Sequence, residues 1–194
     1  PCFFSSSSTT TETSTSCGSY RQGKCIRIST RSWPAWLCTS EAYFAATPEE
    51  LYGVLSDYDL FVKFTSAFVE SRNVPPDRRG RPRFYTRMEG CVLMFCKSFE
   101  RQGYLLLEPH SEIVAVAEPE TSDFHYCRER WHLAREGEGT LMKYSFEMEP
   151  AFWVPPVIGP YLIKRTLRED GRDAIDRIEA LAQGREPKPV GTSP

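Results

Sequence analysis

Histidine is scarce in this chain, with three residues in 194, and no apolar run approaches the roughly 20 residues that a helix needs to cross a bilayer. His110 falls in a predicted turn, while His125 and His132 share one predicted strand. The last two differ in parity, so a regular strand turns them to opposite faces and denies them a shared metal. Cys91 and Cys96 also differ in parity, and their spacing is not that of a zinc knuckle. The sequence therefore predicts neither a metal nor another cofactor. Charge is nearly balanced, 24 Lys and Arg against 26 Asp and Glu for a net −2, which gives no basis for a nucleic-acid partner. Without a glycine-rich phosphate loop or a nucleophile elbow, nucleotide and serine-hydrolase chemistry have no motif behind them. Nor does Pro1-Cys2-Phe3-Phe4 carry the charged start and long apolar centre of a secretory signal, although a chain from which one had been removed would read the same.

Cysteine, by contrast, is plentiful. Of seven, Cys2, Cys17, Cys25 and Cys38 crowd the first quarter of the chain. That clustering suits an oxidising compartment, in which a bond from Cys17, Cys25 or Cys38 would tie down a poorly packed N-terminal arm. Cys91 and Cys96 are further disulfide candidates, and the odd total leaves at least one thiol free or intermolecular. The expected location is periplasmic or secreted. Ordinary buried thiols in a reducing cytoplasm are the alternative, since buried cysteine behaves as a small hydrophobe.

With 40% hydrophobic and 13% aromatic residues, the chain can bury one sizeable core. Residues 1–16 include an almost unbroken Ser/Thr tract, too polar to offset the entropy of ordering, and are expected to be a disordered leader. Residues 17–34 form a Cys-containing arm with a short strand near 25–29, residues 35–184 the domain, and residues 185–194, with three prolines, a disordered tail. The domain opens with a strand at 36–45. Thr47-Pro48-Glu49-Glu50 then spells a helix start, with Thr47 as N-cap, Pro48 in the first turn and Glu50 three residues on. A second short helix is expected at 58–65, and a strand at 67–73 leads into a hairpin turn through Pro75 and Pro76. Strands follow at 83–88, 99–108, 112–118, 124–133 and 140–149. Residues 91–96 show no period and fit either a strand or a bent segment roofing a cavity.

The chain ends on one long amphipathic helix reaching about Gln183. Leu162, Ile163, Leu167, Gly171, Ala174, Ile175, Ile178, Leu181 and Ala182 recur at three- and four-residue steps and form a single stripe. A lone helix after a run of antiparallel strands has a sheet to lie on, and a curved sheet clasping a helix tends to leave a hole. On the last strand Met142, Tyr144, Phe146 and Met148 alternate with Lys143, Ser145, Glu147 and Glu149. Two methionines and two aromatics on one inner face make either an adaptable wall for an apolar guest or a plain packed core.

Strand, two short helices, antiparallel strands and long helix, in that order, resemble the α+β helix-grip fold of the START-like superfamily. The words that carry the likeness are Phe44-Ala45-Ala46-Thr47-Pro48-Glu49-Glu50-Leu51, Ser56-Asp57-Tyr58-Asp59, Glu70-Ser71-Arg72, Ser122-Asp123-Phe124 with Trp131, Gly139-Thr140, and Phe152-Trp153-Val154-Pro155-Pro156 before the final helix. They are most similar to the polyketide cyclase/dehydrase and coenzyme-Q-binding-protein branch, and they span about 35–183. The resemblance implies a curved sheet of about seven strands around the C-terminal helix, with a hydrophobic tunnel that relatives use for sterols, other lipids, quinones or polyketides. The expected lining is Phe84, Met94, Phe124, Tyr126, Arg128, Trp131, Met142, Tyr144, Phe146, Met148, Ile163, Leu167 and Gly171. A mid-helix glycine such as Gly171 costs about 1 kcal/mol relative to alanine, and room for a guest is one reason to keep it.

Three functions fit. The first is a carrier or binding protein for a hydrophobic small molecule; the second is a cyclase or dehydratase using the same cavity. The third is a protein-interaction module whose interior is filled by its own side chains. Acid/base chemistry would draw on Tyr85, Asp123, Tyr126, Arg128, Glu129 or Arg130. Either Arg128 or Arg130 turns inward to grip a head group, or both point outward and pair with neighbouring acids. Arg78, Arg79 and Arg81 make the densest basic patch, a solvated face or a transient dock for an anionic membrane or donor.

Overall fold

Thr47 starts the first helix as its sequence predicts. Its Oγ1 accepts from the Glu50 amide at 3.3 Å and the Glu50 carboxylate accepts from the Thr47 amide at 2.8 Å, a reciprocal capping box with Pro48 in the first turn. The computed structural model describes residues 12–16, 26–31, 36–92, 95–152 and 171–191; the side chains of 12–36, 90–97 and 171–172 are outside that description. Within it the chain runs β1 (Glu12–Ser16), β2 (Ile26–Arg31), β3 (Trp36–Phe44), α1 (Pro48–Leu55), a 3-10 turn (Tyr58–Leu60), α2 (Phe61–Phe64) and β4 (Phe68–Val74). It continues β5 (Arg83–Val92), β6 (Phe95–Glu108), β7 (Glu112–Ala117), a 3-10 turn (Pro119–Thr121), β8 (Phe124–Glu136), β9 (Gly139–Pro150) and α3 (Gly171–Ala182).

Nine described strands make one antiparallel sheet in the order β1-β2-β3-β9-β8-β7-β6-β5-β4. β3 to β9 are the seven strands expected of a helix-grip fold, and β1 and β2 extend the sheet beyond β3. The Ser/Thr tract is therefore not wholly the disordered leader that its polarity predicts, since residues 12–16 pair with β2 from Glu12↔Thr30 to Ser16↔Ile26. A sheet edge offers unpaired backbone groups, and a strand can take them without burying side chains of its own. The ambiguous run around 91–96 belongs to β5 and β6, which pair up to Val92↔Phe95.

Two cores hold the layers together. The larger joins the inner faces of β3 and β5–β9 to Leu51, Val54 and Leu55 of α1, Phe61 and Phe64 of α2, and Ile175 and Ile178 of α3. The smaller gathers Ala117, Phe124, Cys127 and Met148, with Met88, Phe99 and Phe146 at its margin. α3 is anchored at its far end, where Glu179 accepts from the Ala45 amide at 3.0 Å and Gln183 donates to the Ala45 carbonyl at 2.6 Å. Gly103 lets β6 approach β7 closely, because a Cβ there would collide with the Val116 carbonyl.

Candidate functional site

β7 is only six residues long and stops at Ala117, whereas β6 and β8 run on. The 3-10 turn at Pro119–Thr121 and the Ser122 and Asp123 side chains close the gap, with Ser122 Oγ and the Asp123 carboxylate accepting from the Gln102 and Glu100 amides. Arg101 lies on β6 two residues beyond Gly103, the register partner of Ala117, so no β7 residue stands opposite it, and its long side chain reaches to Glu129 of β8, whose own partner on β7 is the small Ala115. Arg101 Nη2 lies 2.8 Å from Glu129 Oε2, with the side chains 1% and 5% exposed.

The rest of the cluster comes from the neighbouring strands. Arg101 Nε donates to Thr86 Oγ1 of β5 at 3.3 Å, and Nη1 donates to Cys127 Sγ of β8 at 3.6 Å. Tyr144 of β9 donates from its hydroxyl to Glu129 Oε1 at 2.6 Å. The walls are aromatic: the guanidinium carbon is 5.1 Å from the Phe84 ring centroid and 5.8 Å from those of Phe68 and Phe146. Arg101 Nη2 and Glu129 Oε2 attract as an ion pair but off the hydrogen-bond axis, so each lacks a directed hydrogen bond among the described residues. The Tyr58 hydroxyl, enclosed near the same charges, has no hydrogen-bond partner among the described residues either.

Burial opposes the Arg101 charge, but the pull of Glu129, then of Cys127 and Tyr58, outweighs it and holds the pKa well above the ordinary arginine value. Tyr144 and Tyr58 are both pushed well above the ordinary phenol, first by desolvation and then by the Glu129 charge. The interior therefore holds a guanidinium, a carboxylate, two neutral phenols and a threonine hydroxyl among aromatic rings.

Of the expected lining, Phe84, Trp131 and Met142 are buried in the larger core, with Tyr144 packed against it. Phe124 and Met148 are buried in the smaller core, and Phe146 packs at its edge. Tyr126 and Arg128 are corrected: β8 buries Cys127, Glu129, Trp131 and Leu133, and Tyr126 is 38% exposed on the outer face, where Arg128 also lies. A register shift between Phe124 and Tyr126 sets this phase, and it leaves both His125 and His132 exposed instead of on opposite faces. Arg130 also points outward, 3.6 Å from Glu112. The inward arginine is Arg101, which sequence reasoning missed, although the alternation Phe99, Arg101, Gly103, Leu105 placed it on an apolar face. Met94, Ile163 and Leu167 lie outside the described residues, and Gly171 is the first described residue of α3, its own side-chain surroundings undescribed.

In the basic turn, Arg78 and Arg79 are exposed, whereas Arg81 is engaged within the fold. It bonds Asp77 at 2.6 Å and lies 3.5 Å above the Tyr104 ring. No group of His, Cys, Asp and Glu that could hold a metal occurs among the described residues.

The disulfide expectation is corrected for Cys38. Cys38 and Cys127 are buried free thiols, Cys38 lying opposite Phe146 of β9 in the register of the sheet. Cys17 and Cys25 lie outside the described residues. Cys91 and Cys96 are register partners on β5 and β6, with their side chains outside the described residues. Desolvation pushes the Cys38 thiol up to about 12. The unfolded thiol ionises near 9 while the folded one keeps its proton, so this stability is complete below pH 9 and lost as pH rises toward 12. Urea titrations at increasing alkaline pH should show a decline to which Cys38 contributes up to about 1.4 kcal/mol per pH unit. Cys38→Ala should flatten the decline by that amount; an unchanged slope would mean that the thiol is hydrated.

The chain belongs to the polyketide cyclase/dehydrase and lipid transport family, whose model matches residues 44–170. Similar solved structures include a STAR-related lipid transfer protein from Xanthomonas axonopodis, at TM-score 0.63 and 12% identity over 88% of this chain and 98% of that one. A START superfamily protein from Mycobacterium smegmatis matches at 0.59 and 17% identity over 76% and 97%. The Zhui aromatase/cyclase from Streptomyces sp. R1128 matches at 0.55 and 11% identity over 77% and 94%. These likenesses establish the START-like fold. No curated protein matches the chain in sequence.

Proposed function

We propose that the protein binds and carries a hydrophobic small molecule bearing a neutral hydroxyl or enol, held between the helices and the sheet. One observation carries the reading: a fully buried guanidinium and carboxylate, each with an atom that has no directed hydrogen bond among the described residues, face aromatic walls beside a phenol likewise without a partner there. A packed core gains little from such a pair, because desolvation offsets most of the attraction. An anionic head group would be repelled by Glu129 and a cationic one by Arg101. A hydroxyl can donate to Glu129 Oε2 and accept from Arg101 Nη2 or Tyr58, at about 1.5–3 kcal/mol for each hydrogen bond to a charged group. Phe84, Trp131, Met142, Tyr144 and Phe146 would hold the apolar body. The names of the lipid transfer protein and the aromatase/cyclase with this fold support both a carrier and its alternative.

The alternative is a cyclase or dehydratase acting on a polyketide-like chain. It is favoured by the Glu129 carboxylate and the Tyr144 hydroxyl, which are in hydrogen-bond contact and can serve proton transfer. Native mass spectrometry and organic extraction of protein from its own source provide the test. A co-purifying apolar species with a hydroxyl or enol is expected, and its retention should fall in Glu129→Gln. Species without any polar group would sink the reading. Retained binding in Glu129→Gln with loss of turnover of a polyketide mimic would replace the carrier with the enzyme.

A further inference from the structure

Three prolines after α3 suggest a trailing tail, yet residues 185–191 fold back on the helix. The reversal is made at Gly184, at φ +67°, where Arg185 donates to the Ala180 carbonyl at 2.7 Å and Gly184 to that of Leu181 at 3.0 Å. That pair of bonds is a Schellman stop. Pro187 and Pro189 keep the returning segment extended at low entropic cost.

The segment ends its return at Arg177, two turns back along α3 and 7% exposed. The guanidinium donates to the Lys188 carbonyl from Nε at 3.2 Å and to the Pro189 carbonyl from Nη2 at 3.3 Å. Its Nη1 donates to the Phe64 carbonyl at 3.5 Å. One buried cation thus joins three parts of the chain: the tail, α3 and the last residue of α2. α2 itself is four residues long, has no side-chain cap at its start, and carries Phe61 over Trp131 and Tyr58 at 5.9 and 4.2 Å between ring centroids. Moving α2 outward would uncover the aromatic side of the polar cluster.

We propose that residues 185–191 are a strap, latched by Arg177, that holds α2 against α3 and governs passage into the interior. The governing role rests on the interior being the binding site, as read above; the latch rests on the Arg177 contacts alone. Two full-length variants test it. Arg177→Gln removes the guanidinium. Pro187→Gly with Pro189→Gly loosens the strap without touching a buried charge.

Hydrogen exchange at the Thr65 amide, which bonds to the Phe61 carbonyl, reports on α2, and the Trp131 amide reports on the centre of the sheet. Iodoacetamide labelling of Cys127, followed by peptide mass, reports access to the cluster without any ligand. In both variants Thr65 exchange and Cys127 labelling should become about tenfold faster with Trp131 exchange unchanged, the pattern of local opening without global unfolding. Unchanged Thr65 exchange in both variants would overturn the latch, as would a rise that Trp131 shares. Faster Thr65 exchange with unchanged Cys127 labelling would overturn the control of access. Neither result depends on whether the protein co-purifies with a lipid, so the two readings fail separately.

Discussion

Replacing Arg101 with alanine is expected to cost about 3–5 kcal/mol, because it strands the Glu129 carboxylate in a dry interior. Glu129→Ala should cost a similar amount by stranding the guanidinium. The pair is 2.8 Å apart and its side chains are at most 5% exposed, so neither survivor can turn to water. Removing both charges should behave differently. Arg101→Met with Glu129→Leu, and Tyr144→Phe to remove the hydroxyl that would lose its acceptor, should return stability to within about 1 kcal/mol of the parent or above it. Urea unfolding midpoints at constant slope measure both effects. Single losses below about 1 kcal/mol would mean that the interior is wet and the charges solvated. A triple variant as stable as the parent yet unable to retain the co-purifying molecule would show that the polar cluster serves binding and not the fold.

Phe61→Ala should cost about 3–5 kcal/mol, the loss typical of a large aromatic cut from a core. Phe61 is 1% exposed and is the hub of the aromatic cluster, stacked on Tyr58 and in contact with Phe64, Phe68 and Trp131. Being on a four-residue helix, it is also the main apolar anchor of α2, so its loss combines a cavity with release of the helix. Val62, one residue on, is 36% exposed, and Val62→Ala should change stability by less than about 0.5 kcal/mol. Thermal and urea unfolding of the two variants provide the comparison. Similar small losses in both would show that α2 lies on the core without being part of it.

Features of the sequence that depend on neighbours a few residues away were legible. Thr47 and Glu50 cap a helix through their own backbone, and β9 shows its two faces because it alternates without interruption. The seven-strand sheet and the helix-grip order followed from such local signals. Arg101 was not legible as a site residue, because its inward turn has meaning only through the register of three strands, which sets it just past the end of β7 and places the small Ala115 opposite Glu129. Arg128 was misplaced by a single-residue register shift at the start of β8, which moves every later side chain to the other face. The tail was read as disordered from its prolines, since no local pattern tells that a buried arginine eleven or twelve positions earlier takes two of its carbonyls.

The pairing of β3 with β9, from Trp36↔Met148 to Phe44↔Thr140, bears on how the chain acquires its shape during synthesis. β4 to β9 pair in sequence order, each strand with the one just made, but β3 is translated about a hundred residues before the strand it needs. At roughly 5–20 residues per second, a ribosome exposes β3 for about 5–20 s before β9 emerges. During that interval the inner face of β3, with Ala42 and Phe44, has no sheet to join, and β2 is its only neighbour within reach among the described strands. The β1–β2 hairpin can thus occupy one edge of β3 while the other waits, halving the open backbone offered to other nascent chains. In this light the polar N-terminal strands give β3 its first lasting partner during translation, and the sheet closes only when the last strand arrives.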